Sequence, residues 1–147
     1  MSAKHLHIPP TGIPSHPYTA EEIGRALGGI DEDEVRELER AGELFSIVRP
    51  ARGPEREYPA FQIWSGIYGE PMSRIRSALG TPCSTLIYGF FTSASDLLGF
   101  LTPIEVLLGQ LTRVRDVDVW AQGLLAEPLE TRMDAVLEVA KIWAEKP

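Results

Sequence analysis

Three capping boxes fix where three helices begin, and they constrain the fold of this chain more than any other feature of the sequence. In each box a Thr or Asp stands three residues before a Glu. The three pairs are Thr19 with Glu22, Asp31 with Glu34, and Thr102 with Glu105. The side chain of the first residue accepts a hydrogen bond from the backbone N–H of the Glu, and the Glu side chain accepts one in return. The pattern predicts a short helix after each box.

The first two predicted helices form a helix-turn-helix. Gly28 and Gly29 end the first, and Gly42 ends the second. Two segments rich in β-branched and aromatic residues follow, at 44–48 and 57–61, on either side of a tip containing Pro and Gly. That pattern is typical of a β-hairpin. We therefore expect residues 18–64 to form a helix-turn-helix with a two-stranded wing.

The rest of the chain is expected to be helical. Helices are predicted between Pro71 and Gly80, from Thr81 through Phe91, after Thr102, and over 114–125 and 129–145. Residues 65–147 would form a helical bundle, while the proline-rich residues 1–17 read as an extended arm. The predicted fold class is mainly α, with an N-terminal winged helix-turn-helix followed by a C-terminal helical bundle.

Composition narrows the function classes. The 147 residues carry a formal net charge of −7, which argues against a protein that holds nucleic acid by bulk electrostatics. Residues 1–14 lack the apolar run of a signal peptide, and no apolar stretch reaches 18 residues, so we expect neither secretion nor a membrane span. The single cysteine, Cys83, fits a reducing cytoplasm.

No set of residues suggests catalysis. The three histidines (His5, His7 and His16) all lie in the arm, and no cysteine or closely spaced carboxylate completes a metal site with them. Cys83 has no histidine outside the arm to activate it, and we expect it to be a half-buried core residue. Gly28-Gly29 is followed by acids and so does not resemble a phosphate loop. The sequence predicts a non-enzymatic protein with no cofactor and no metal.

Five arginines are the candidates for DNA binding. Arg36 and Arg40 lie on the second helix, which a helix-turn-helix protein presents to the major groove, and Arg49, Arg52 and Arg56 surround the wing tip. Residues 31–43, however, hold seven acids against two arginines, a local charge of −5. Either the docking face is restricted to these arginines, or the module no longer binds DNA.

The last helices offer candidates for partner binding. Trp120, Met133 and Trp143 are either core residues or part of a partner-binding face. The apolar segment 86–111 also predicts self-association, since symmetric dimers commonly bury such a surface. A homodimer is therefore expected.

The C-terminal half resembles the C-terminal domain of the Xre/MbcA/ParS-type antitoxins over roughly residues 72–126. Phe90-Phe91, Leu98, Thr102-Pro103 and Leu107 fall in that family's register. Residues 18–64 are more similar to a MerR-like or excisionase winged helix, including the stretch from Tyr58 to Gln62. The resemblance implies a regulator that binds operator DNA through its winged helix and a toxin through its C-terminal helices.

Two hypotheses of different classes follow. The first is a dimeric, antitoxin-like transcriptional regulator in the cytoplasm. The second is an acidic protein-interaction module with a winged-helix fold that has lost DNA binding. The acidic second helix favours the second hypothesis, and the arginines of the wing favour the first.

Overall fold

The computed structural model describes residues 17–49 and 55–145, and it confirms a mainly helical fold with a small two-stranded sheet. Helices α1 and α2 are followed by strands β1 and β2 and then by helices α3 to α7. Their bounds are α1 Ala20–Ala26, α2 Glu32–Arg40, β1 Ile47–Val48, β2 Arg56–Glu57, α3 Glu70–Leu79, α4 Ser84–Thr92, α5 Pro103–Leu108, α6 Val119–Ala126 and α7 Leu129–Glu145. Short 3-10 turns occupy Ala60–Ile63 and Asp96–Leu98.

Some of the expectations concern residues that the structure does not describe. Apart from Pro17, the predicted arm lies outside the described residues, and so does the wing tip with Arg52. In the part of the chain that is described, no helix has both the length and the apolar character needed to cross a membrane.

All three capping boxes form as predicted. The first side chains accept hydrogen bonds from the N–H groups of Glu22, Glu34 and Glu105 at 3.1, 2.9 and 3.2 Å. The helix predicted over 129–145 is confirmed as α7. The helix predicted over 114–125 instead starts at Val119, because Asp118 acts as its N-cap and accepts a hydrogen bond from Ala121 N–H at 2.8 Å.

The wing is shorter than the sequence suggested. Ile47 pairs with Glu57 and Val48 with Arg56 in an antiparallel ladder of two residues on each strand. Beyond it, the buried side chain of Gln62 takes the place of a partner strand. Its amide oxygen accepts from Phe45 N–H at 2.9 Å, and its amide nitrogen donates to the Phe45 carbonyl at 2.9 Å. The backbone groups of Phe45 are thereby satisfied without further strand pairing.

A row of five aromatic rings joins the N-terminal part of the chain to α7. The ring centroids of Phe45 and Phe61 are 6.0 Å apart, and those of Phe61 and Phe91 are 5.2 Å apart. Phe90 continues the row, at 5.5 Å from Phe91 and 5.3 Å edge-on from Trp143. Tilted and edge-to-face pairs at such distances are favourable arrangements for aromatic side chains. The row lies in a core that extends from Ile23 to Ala140.

Arg76 on α3 makes a polar link between the same two parts. Its Nη1 donates to the backbone carbonyls of Gly42 and Leu44 at 2.8 and 3.3 Å, just after α2 ends. Both carbonyls belong to the segment between α2 and β1, so these bonds fasten that segment to α3. Partial burial lowers the pKa of Arg76, whose charge nevertheless has these carbonyl partners.

A buried ion pair fixes the connection between α5 and α6. Glu105 is 1% exposed. Its carboxylate accepts two hydrogen bonds from the Arg115 guanidinium, at 2.6 and 2.7 Å, and one from Thr112 N–H at 3.1 Å. Burial by itself would raise the pKa of Glu105. The Arg115 guanidinium and the N–H groups of Thr102 and Thr112 outweigh that effect and hold the pKa below its usual range.

Replacing Gln62 by Leu should destabilise the protein by about 1–3 kcal/mol, since the Phe45 N–H and carbonyl would lose their buried partner. Urea unfolding at neutral pH measures the free energy of unfolding. Gln122→Leu is the control, because Gln122 is exposed on α6. Equal stability of the two variants would contradict this role for Gln62.

The Glu105–Arg115 pair should make stability depend on pH. A carboxyl whose pKa is lower in the folded state stabilises the fold above its unfolded pKa of about 4.3, and this contribution is lost as the pH falls through the folded value. Glu105→Gln should therefore lower the free energy of unfolding by roughly 2 kcal/mol at pH 7 and by less at pH 3. The exposed Glu138→Gln is the control. An identical deficit at both pH values would count against this effect.

Candidate functional site

The solvent-facing side of α2 is the surface on which the two hypotheses differ. Val35 packs into the core and fixes the rotation of the helix. The charged side chains that remain exposed on α2 are Glu32, Asp33, Glu34, Arg36, Glu37 and Arg40. Carboxylates therefore outnumber arginines two to one on this surface.

Both arginines on α2 are paired with acids about one turn away. Arg36 forms ion pairs with Glu32 at 3.2 Å and with Asp33 at 3.1 Å, and Arg40 is paired with Glu37. Exposed pairs of this spacing stabilise a helix by only about 0.3–0.5 kcal/mol each, so they are easily broken. Their consequence is electrostatic: each arginine is accompanied by at least one carboxylate at the surface that would meet phosphates.

Glu39 ties the wing to α2. One of its carboxylate oxygens accepts a hydrogen bond from the Tyr58 hydroxyl at 2.7 Å, and the other accepts one from the Ser46 hydroxyl at 2.6 Å. Arg56 donates to the Ser46 oxygen at 3.0 Å and lies 3.8 Å from Glu39. The position of Arg56 is thus set by a network that reaches α2, and not by the strand alone.

The surroundings of Tyr58 in this network strongly raise the pKa of its hydroxyl. Burial, the hydrogen bond to Glu39 and the negative charge of Glu39 together raise the pKa of Tyr58 to about 12. All three disfavour the phenolate, which would have to stand beside a carboxylate and lose the hydrogen bond that it donates.

Arg49 points toward the helical bundle. Its Nε donates to Glu57 at 2.9 Å, and its guanidinium carbon lies 5.4 Å from the ring centroid of Tyr88 on α4. A guanidinium over an aromatic face within about 6 Å is attracted by the ring. Arg49 therefore helps to hold the wing against α4.

A cleft of about 370 Å³ separates the starts of α1 and α2 from β2. It brings Arg36 of α2 and Arg56 of the wing to one site. The same cleft is lined by three acids, Glu21, Glu32 and Glu55. A ligand in this cleft would therefore meet charges of both signs, with the acids in excess.

The five predicted DNA-binding residues thus differ in their surroundings. Arg36, Arg40 and Arg49 are paired with acids, and Arg56 belongs to the Glu39 network. Arg52 is outside the described residues. Over residues 17–49 and 55–64 the chain carries eleven acids and five arginines, a net charge of −6.

The three predicted partner-binding residues do not all lie on the surface, because Met133 is separated from the two tryptophans. Met133 is 2% exposed and belongs to the core, because α7 turns it inward between α3 and α5. Trp143 is half-buried against Phe90, while Trp120 is 56% exposed. Met133 is therefore unable to contact a partner in this conformation.

Cys83 also differs from its prediction. It is exposed, because it is the N-cap residue preceding α4 and not part of the first turn. Its backbone N–H donates to the Thr81 hydroxyl at 3.1 Å. Among the residues that the structure describes, His, Cys, Asp and Glu form no group of three or more that could hold a metal ion. The three histidines are outside those residues.

Sequence reasoning missed the role of Glu39, which counted only as one more negative charge. Its partners Ser46 and Tyr58 are 7 and 19 residues away, so no local spacing indicates the network.

Comparison with known protein families, with curated proteins and with solved structures gave no match. The resemblance to antitoxins therefore stays a prediction from the quoted motifs.

The Tyr58 hydroxyl should titrate near pH 12, well above a free tyrosine. Its neutral form stabilises the fold fully below about pH 10, and this contribution is lost as the pH rises through the folded value. Glu39→Gln should bring that titration back toward 10. Ultraviolet difference spectra with rising pH measure it, with Tyr58→Phe identifying the signal. An unchanged high titration in Glu39→Gln would contradict the role of the carboxylate.

Proposed function

We propose that this chain is a non-catalytic protein-interaction module with a winged-helix arrangement, whose acidic α2 face binds a basic segment of a partner protein. The excess of exposed carboxylates over arginines on α2, with an acid beside each arginine, is the observation that carries the proposal. A DNA reader needs the opposite balance, with cations facing the phosphates.

Electrostatics favours a basic partner over DNA. Phosphate binding releases counterions only when cations replace them, and α2 would instead bring carboxylates close to the backbone. A partner segment rich in Lys and Arg would instead be attracted to the same carboxylates. Long-range attraction to a negative face speeds the encounter and fixes its orientation. Asp33 supports this reading, since its side chain is 93% exposed at the start of α2.

The surface is also held rigidly. Glu39 joins α2 to the wing, Arg76 joins the end of α2 to α3, and the Gln62 amide holds the segment between them. A partner that binds α2 would therefore meet a surface that needs little ordering, which lowers the entropic cost of association.

Neutralising part of the α2 face tests the proposal. Asp33→Asn combined with Glu37→Gln should weaken binding of a labelled oligolysine peptide roughly tenfold at low salt, from two exposed charges worth about 0.2–1 kcal/mol each. Fluorescence anisotropy across a salt series measures the affinity. The matched control is Glu130→Gln with Asp134→Asn, which removes the same two charges from exposed positions on α7.

Equal losses in both double variants would show that the peptide responds to total charge alone, and this would overturn a specific α2 site. Saturable binding of the unmodified chain to its own upstream DNA would also overturn the proposal.

The second candidate function is the antitoxin-like regulator, which binds operator DNA and covers a toxin with its C-terminal helices. One observation favours it: Arg36 of α2 and Arg56 of the wing line the same cleft. In this reading Arg36 and Arg40 reach the major groove, and Arg49, Arg52 and Arg56 contact phosphates. Co-purification with the product of an adjacent toxin-like reading frame would support it.

If DNA binding exists, Arg52→Ala with Arg56→Ala should remove about two phosphate contacts and flatten the slope of log affinity against log salt by about 2. The control is Arg74→Ala, an exposed arginine on α3 away from the wing. An unchanged slope in the double variant would exclude the wing as the contact surface.

A further inference from the structure

A second surface, at the opposite end of the aromatic row, is built from apolar side chains. An open groove of about 420 Å³ lies between the end of α4, the Asp96–Leu98 turn and α7. Most of its lining is apolar: Phe90, Leu97, Phe100, Pro103, Ile142 and Trp143. Leu97 is 53% exposed on its edge.

Phe100 is held on that edge in a conformation that side chains disfavour. Its φ is +68°, in the left-handed region, and it is the one non-glycine residue there among the described residues. Its N–H donates to the Ser95 carbonyl at 2.7 Å, and its carbonyl accepts from Arg115 at 3.4 Å. Phe100 is nevertheless 66% exposed. The fold therefore keeps a strained residue whose side chain contributes little to the core.

Trp120 on α6 adds a further exposed aromatic ring next to the Phe100 segment. Its indole covers Gly99, where an added Cβ would lie 2.9 Å from the ring. The apolar patch is defined by three side chains that are each more than half exposed: Leu97, Phe100 and Trp120. Exposed clusters of this kind mark interaction sites, and Trp and Phe are enriched at the centres of protein interfaces.

The edge of the apolar patch carries an acid, Asp96, which lines the groove. A second exposed acid, Asp118, is the N-cap residue of α6, two residues before Trp120 in the chain. Both are exposed, and among the described residues neither has an ion-pair partner. Arg115, which donates to the Phe100 carbonyl, is already neutralised by Glu105.

We propose that the apolar patch docks an amphipathic helix of a partner protein that carries large apolar side chains flanked by Lys or Arg. The apolar side chains would enter the groove beside Phe100, and the cations would meet Asp96 and Asp118. This helix-in-groove mode uses apolar anchors about one turn apart. A second copy of this chain fits less well, because it would bring the same acidic edge and a net charge of −7. The site is separate from the α2 face and does not depend on the function proposed for that face.

The probe is a synthetic amphipathic peptide of Leu and Lys at helical spacing, labelled for anisotropy, with a matched peptide carrying Glu in place of Lys. Phe100→Gly should weaken binding of the Lys peptide at least fivefold while the thermal midpoint stays equal or rises, because Gly adopts a positive φ without strain. If Phe100 only stabilised the fold, Phe100→Gly would not lower the affinity for the peptide while leaving the thermal midpoint unchanged. Trp120→Ala should weaken binding similarly, and Val48→Ala, an exposed apolar residue on β1, should not.

Amide chemical-shift changes centred on residues 96–100 and 118–120, with no binding of the Glu peptide, would complete the support. The proposal is overturned if the Lys peptide fails to saturate, if both peptides bind equally, if Phe100→Gly binds as the parent does, or if the shifts centre on α2. A dimer in sedimentation that Phe100→Gly dissociates would assign the patch to a second copy and also overturn it.

Discussion

The row of aromatic rings from Phe45 to Trp143 is the contact on which the other features depend. It brings the segment after α2, the 3-10 turn at Ala60–Ile63, α4 and α7 into one core. Because burial of large aromatic side chains contributes strongly to the stability of such cores, loss of this row would weaken the packing of the wing against the bundle. At its far end, Phe90 and Trp143 also form a wall of the apolar groove, so the core and the second surface share the same side chains.

The effect of a carboxylate in this protein depends on whether it is buried or exposed. Buried or half-buried carboxylates have partners that fix the structure: Glu105 holds Arg115, and Glu39 holds Tyr58 and Ser46. The exposed carboxylates of α2 instead set the sign of the surface, since pairs in water contribute little energy but leave the net charge unchanged. The same residue type therefore has a structural role inside the fold and sets the surface charge outside it.

The sequence predicted the helices that local chemistry specifies. The capping boxes at Thr19, Asp31 and Thr102 each formed, and α7 has its predicted bounds, because caps and helical periodicity act over a few residues. The predicted start of α6 was wrong, although the signal was present: Asp118 is an N-cap residue, but Val114 and Val117 before it suggested a longer helix. The prediction that Cys83 is a half-buried core residue was wrong for a related reason, since Cys83 precedes α4 and does not belong to it.

What the sequence by itself determined was the class of fold, the starts of the capped helices and the excess of acid near α2. The tertiary structure decided which side chains meet across distance. It placed Met133 in the core, turned Arg49 toward Tyr88 and set the Trp120 ring over Gly99, which precedes the exposed Phe100. The physical reason is range: a cap or a helical stripe is settled by neighbours within one or two turns, whereas a groove or a hydrogen-bond network requires segments far apart in the chain to pack together first.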